Sequence, residues 1–168
     1  TGAGKSLCFM LPALLLPGIT MIIYPLLSLM NDQARRVREL GAKPTILRGG
    51  QSLEERNSLW RELEEGESRI LITNPETLGS KNVLDHLREL RISLLVVDEV
   101  HTVTQWGETF RPSYLELKGI IKKLKPLQIT AFTATASPRI MDRLTHILFD
   151  GRKAHVVMGN PDRPNICY

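Results

Sequence analysis

An α/β fold, with a mainly parallel sheet carrying helices on both faces, is what three features of the sequence predict. The chain has 168 residues, a length that suits one domain of ordinary size. Its apolar runs are short and apolar throughout, as parallel strands covered on both faces are. These runs alternate with amphipathic stretches, the order that builds a doubly wound sheet.

The predicted strands, in chain order, are ITMIIYP (residues 19–25), PTILRG (44–49), RILITNP (69–75), LLVVDEV (94–100), QITAFTAT (128–135) and HVVMG (155–159). The helical stretches fall between them. LSLMNDQARRVREL brings Leu29, Ala34, Val37 and Leu40 near one face. LEERNSLWRELEE does the same for Leu53, Leu59, Trp60 and Leu63, with Glu and Arg outside and Ser52 as N-cap. NVLDHLREL, YLELKGIIKKL and SPRIMDRLTHIL follow, the last with Ser137 as N-cap and Pro138 in the first turn. KGIIKKLK reads as the solvated face of its helix and Trp60 as core. His86, His146 and His155 show no metal-ligand spacing and read as surface or satisfied polar residues. The final NPDRPNICY reads as a loop leaving the domain.

Composition narrows the class. Hydrophobic residues make up 42% and charged residues 24%, which points to a packed core rather than disorder. Lys and Arg outnumber Asp and Glu by 22 to 18, a net charge of +4 that is compatible with nucleic acid without establishing it. Cys8 and Cys167 stand far apart with no CxxC spacing, which argues against a disulfide framework or zinc site and makes a reducing compartment the default. Pro12, Pro17 and Pro25 break the longest apolar runs, so none reaches the length of a membrane span, and none reads as a signal peptide.

Three stretches carry chemistry. In TGAGKS (residues 1–6), Gly2, Ala3 and Gly4 are small enough for backbone N–H groups to close around phosphate oxygens. Lys5 would reach the phosphates, the Ser6 hydroxyl would hold Mg²⁺, and a helix starting near Lys5 would add its dipole. A glycine turn capping a helix accounts for this stretch alone equally well. The second stretch, LLVVDEVH, ends a strand in Asp98 and Glu99. An acid there can hold Mg²⁺ through water, and its neighbour can orient or deprotonate the attacking water. His101 could sense the γ-phosphate. A lone acidic pair is often a solvated turn, but a GKS upstream in a chain of alternating strands and helices favours a nucleotide site. The third stretch, FTATAS, puts Thr133 and Thr135 at another strand's carboxyl end, where open α/β sheets bind ligands. Trp106, Phe110 and Arg111, in the loop after Glu99, offer two stacking faces and a cation, which suits single-stranded nucleic acid. By composition alone the two aromatics read as core.

In this order GKS, DExH and TAT resemble motifs I, II and III of superfamily 2 helicases. GAGKSLCFMLPALL, YPLLSLMNDQ, QWGETFRPSYLEL and RPNI narrow the resemblance to the RecQ family of DNA helicases, over nearly the whole chain. Val100 and Asn74 depart from that family's usual Ala and Thr or Ser. The resemblance implies a RecA-like, P-loop NTPase domain over residues 1–159, with residues 160–168 starting a linker to a second RecA-like motor domain. It implies that the chain is truncated and lacks its first, P-loop strand, which would leave a gap beside QITAFTAT. It further implies ATP and Mg²⁺ as cofactors and single-stranded and duplex DNA as partners. Lys5, Asp98 and Glu99 would be catalytic, with Mg²⁺ on Ser6 and Asp98. His101, Gln105, Thr133 and Thr135 would couple the site to DNA held by Trp106, Phe110 and Arg111. Unwinding would run 3′ to 5′, inside the cell and away from membranes: in the nucleoid if bacterial, in the nucleus if eukaryotic. The alternatives are a DExH RNA helicase domain and a non-catalytic nucleic-acid-binding motor half.

Overall fold

A computed structural model describes residues 5–100, 116–133 and 137–159. Five strands form one sheet: β1 (Ile19–Ile23), β2 (Pro44–Ile46), β3 (Ile70–Thr73), β4 (Ile92–Val97) and β5 (Gln128–Ala131). All pair in parallel, in the order β2-β3-β1-β4-β5. β1, β3 and β4 are buried along their whole length, which is why the sequence shows unbroken apolar runs there instead of alternation. β5 is only partly buried and pairs with β4 alone among the described residues, which leaves its other edge unpaired among them.

Two helices cover one face of this sheet, α1 (Leu7–Leu15) and α2 (Leu27–Glu39). The other carries α3 (Leu53–Glu64), the short α4 (Pro75–Leu78), α5 (Lys81–Glu89), α6 (Leu117–Leu124) and α7 (Pro138–Leu148). Alternate residues of each strand feed the two cores: Met21, Ile23, Leu95 and Val97 pack under α3 to α7, while Ile22, Ile72 and Val96 pack under α1 and α2. Ser52 opens α3 with a full capping box, its hydroxyl accepting from the Glu55 N–H while the Glu55 carboxylate accepts from the Ser52 N–H. Ser137 caps α7 with Pro138 in its first turn. Trp60 is core, with His86 stacked on it at 4.9 Å between ring centroids.

Four expectations are corrected. HVVMG forms no strand: Val156, Val157 and Met158 are exposed. A strand needs a neighbour to satisfy its backbone, and this stretch pairs with no described strand. Leu40 and Leu53 lie outside the core because they sit at the last and first turns of their helices, beyond the packed faces. The core face of α2 is instead Met30, Gln33, Ala34 and Val37. Finally, RILITNP runs into α4, where the Asn74 side chain accepts from the Thr77 N–H and hydroxyl. Asn shares that capping chemistry with Ser and Thr, so its departure from the family's usual residue preserves the helix start.

Candidate nucleotide site

The site is built where β1, β4 and the start of α1 converge at the carboxyl end of the sheet. β1 leads into α2 on one face, whereas β4 and β5 are covered by α6 and α7 on the other. Adjacent strands whose connections leave for opposite faces open a crevice, the general location of ligands in such sheets. β1 and β4 are in register at Ile23 and Val97, so the next residues, Tyr24 and Asp98, emerge side by side at the crevice. The Asp98 N–H donates to the Ile23 carbonyl at 3.0 Å, extending that pairing by one residue.

The chain then turns sharply. Glu99 takes a left-handed backbone with φ of 49°, uncommon for a non-glycine residue and costing roughly 1–3 kcal/mol. Its N–H donates to Asp98 Oδ1 at 2.9 Å. Lys5, just before α1, reaches across from a point 94 residues away: its Nζ donates to Glu99 Oε1 at 2.6 Å and lies 3.3 Å from Asp98 Oδ1. The neighbouring Ser6 hydroxyl donates to Gln33 Oε1 of α2 at 3.3 Å. A cavity of about 280 Å³ between α1 and α2 is lined in part by Lys5, Ser6 and Arg36.

The electrostatics follow from partial burial. Burial pulls the Lys5 ammonium toward its neutral form, but the Glu99 hydrogen bond and the charges of Asp98 and Glu99 outweigh it and hold its pKa above the usual lysine value. Burial pushes the Asp98 carboxyl above the usual aspartate value, and the Lys5 charge and Glu99 N–H only partly oppose this. One cation thus serves two acids in a half-dry crevice. An anion arriving there finds a lysine already aimed and two carboxylates that its arrival would release.

Of the residues singled out in the sequence, Lys5, Ser6, Asp98 and Glu99 are brought together. Thr133 follows β5 at the same end of the sheet, just past Phe132, which pairs with Val97 and Val100. Gly2, Ala3, Gly4, His101, Gln105, Trp106, Phe110, Arg111 and Thr135 lie outside the described residues. Sequence reasoning quoted Tyr24 and Gln33 as the ends of YPLLSLMNDQ but assigned neither to the site. Gln33 had a signal: it lies on the apolar stripe formed by Met30, Ala34 and Val37, where a polar residue needs a partner.

Comparison with known proteins names the class. Residues 1–144 match the DEAD/DEAH box helicase family, and the chain belongs to it. Among curated relatives it is 35% identical to the ATP-dependent DNA helicase RecQ of Haemophilus influenzae, across 100% of this chain and 27% of the relative. It is 44% identical to the ATP-dependent DNA helicase Q-like 5 of Arabidopsis thaliana, across 82% of this chain and 15% of the relative. The RecQ resemblance carried by the motifs is therefore borne out, and the chain spans little more than a quarter, or less, of these relatives' length. Among solved structures, a hypothetical ATP-dependent RNA helicase from Sulfolobus tokodaii matches with a TM-score of 0.66 at 19% identity, over 88% of this chain and 43% of that one. The Hef helicase domain of Pyrococcus furiosus matches with 0.63 at 23%, over 88% and 31%. These likenesses establish the α/β fold.

Proposed function

We propose that this chain is the nucleotide-binding motor domain of an ATP-dependent, RecQ-like DNA helicase, spanning residues 1–159, with residues 160–168 leading toward a second motor domain. The observation that carries this reading is the Lys5 ammonium bridging Asp98 and Glu99 across 94 residues of chain. A glycine turn that merely capped a helix would have no reason to aim its lysine at two acids.

In this reading Lys5 exchanges its carboxylate partners for the phosphates of ATP, with the backbone of Gly2, Ala3 and Gly4 closing around them. Ser6 and Asp98 would hold Mg²⁺, and an oxygen-only pair suits a cation that keeps most of its waters. Bound there, the cation would offset the charge of the phosphates. Glu99, released from Lys5, orients or deprotonates the attacking water. Trp106, Phe110 and Arg111 stack on and pair with single-stranded DNA, and His101, Gln105, Thr133 and Thr135 couple that contact to hydrolysis. Closure against the second motor domain would drive steps along the strand 3′ to 5′, in the nucleoid or nucleus where the DNA lies.

The test uses the full-length parent. ATP hydrolysis is expected to rise with single-stranded DNA and to vanish in Lys5→Ala. Stimulation by RNA but not DNA would move the assignment to an RNA helicase. Unchanged hydrolysis in Lys5→Ala would overturn the site.

A further inference from the structure

Two polar residues near the nucleotide site, Tyr24 and Gln33, stand at the two ends of YPLLSLMNDQ and have been given no role so far. Tyr24 is 1% exposed, and its hydroxyl has no hydrogen-bond partner among the described residues. A buried hydroxyl left unpaired costs about 1–3 kcal/mol, so an orphan of this kind calls for an explanation. Its position supplies one. Tyr24 follows β1 just as Asp98 follows β4, one residue beyond the registered pair Ile23 and Val97. Both residues therefore emerge on the same side of the sheet, that of α1 and α2. The phenol feels the Asp98 carboxylate and, more weakly, the Arg36 guanidinium. Burial above all holds the phenol's pKa well up, so it remains a neutral donor. On the same face of the sheet Gln33 of α2, itself buried, accepts from the Ser6 hydroxyl. That acceptor directs the Ser6 proton toward α2 and leaves the oxygen's lone pairs for a cation.

We infer that Tyr24 is a positioning residue of this site: its hydroxyl donates to a water that bridges to the Asp98 carboxylate when a divalent cation and nucleotide are bound, and so helps set the site's affinity for that cation. The inference rests on the nucleotide reading given above. It explains why a tyrosine hydroxyl is held in an apolar core at a cost to the ligand-free fold: its partner arrives with the ligand. Outer-shell partners of this kind typically change cation affinity by about 10–100-fold when removed.

Tyr24→Phe in the full-length parent removes only the hydroxyl. Two measurements are made on wild type and variant: thermal melting without ligand, and binding of a fluorescent non-hydrolysable ATP analogue at increasing Mg²⁺, with an EDTA arm. The ligand-free melting temperature is expected to stay level or rise. The Mg²⁺ concentration for half-maximal binding is expected to rise about tenfold, with binding in EDTA unchanged. In Ser6→Ala, adding Tyr24→Phe is expected to raise the Mg²⁺ midpoint by less than it does alone, because both residues serve one cation. An unchanged Mg²⁺ midpoint in Tyr24→Phe overturns the inference while leaving the nucleotide reading intact. A fall in melting temperature with proportional weakening in Mg²⁺ and EDTA also overturns it, since that marks a purely structural role. Wild-type binding that does not depend on Mg²⁺ overturns the inference alone, and absence of any nucleotide binding overturns both.

Discussion

Lys5 and Glu99 share a 2.6 Å hydrogen bond, yet the two should fail differently when changed. Lys5 supplies charge to phosphates present in the ground state, and its loss also leaves two acids facing one another. A hydrogen bond to a charged group contributes about 1.5–3 kcal/mol, so losing the Lys5–phosphate contact in Lys5→Ala should weaken the parent's nucleotide affinity by roughly tenfold or more. Glu99→Gln should spare affinity and lower kcat by about 10²–10⁴; separate measurement of affinity and turnover checks the split. Asp98 gives a pH prediction. Its folded pKa lies above the ordinary 3.8, so its stabilising contribution is complete below that value and is lost as pH rises through the folded pKa. At pH 7 the ligand-free fold thus bears an unfavourable carboxylate. Asp98→Asn should raise the ligand-free melting temperature at pH 7 and make it less sensitive to pH just above 3.8, as thermal melts across that range will show.

At the scale of elements, the caps and turns carry measurable weight. The Ser52 capping box satisfies donors that α3 would otherwise leave open. Ser52→Ala should cost about 1 kcal/mol in chemical denaturation with an unchanged m-value. Gly18 joins α1 to β1 with φ of 87°, and an added Cβ would meet the Arg91 carbonyl oxygen at 2.7 Å and Ser93 Oγ at 2.8 Å. Backbone cannot yield as a flexible side chain does, so Gly18→Ala should destabilise more than Ser52→Ala in the same assay. Equal losses would mean that the β1 entry relaxes around a side chain. The contrast between the two positions is one of surface against sheet: α3 starts in solvent, whereas Gly18 passes directly over the start of β4.

Across the whole molecule, α1 is apolar on both sides. Phe9, Met10 and Ala13 enter the core, while Leu7, Leu11, Leu14 and Leu15 are exposed. A helix that is apolar all round is normally covered all round, and β5 beside it keeps an open edge among the described residues. Exposed leucines and an unpaired strand edge both favour association. The 168-residue chain expressed alone is expected to bind an apolar dye and to self-associate with rising concentration in sedimentation. A monomer without dye binding would show that these surfaces are covered in solution.

Local chemistry made much of this legible in the sequence. Apolar runs read as buried strands because parallel strands are covered on both faces, and Ser52, Ser137 and Trp60 carried their roles in residue type and spacing. GKS and DExH identified themselves because phosphate and metal chemistry restricts which residues can serve. What the sequence could not determine depends on neighbours. HVVMG has the composition of a strand but pairs with no described strand, and backbone pairing is not a local property. Tyr24 stood without a role at the end of ITMIIYP until the register of β1 against β4 placed it next to Asp98 at the strand ends. Register, strand order and the side from which α1 arrives arise from packing between segments far apart in the chain, and only the tertiary structure decides them.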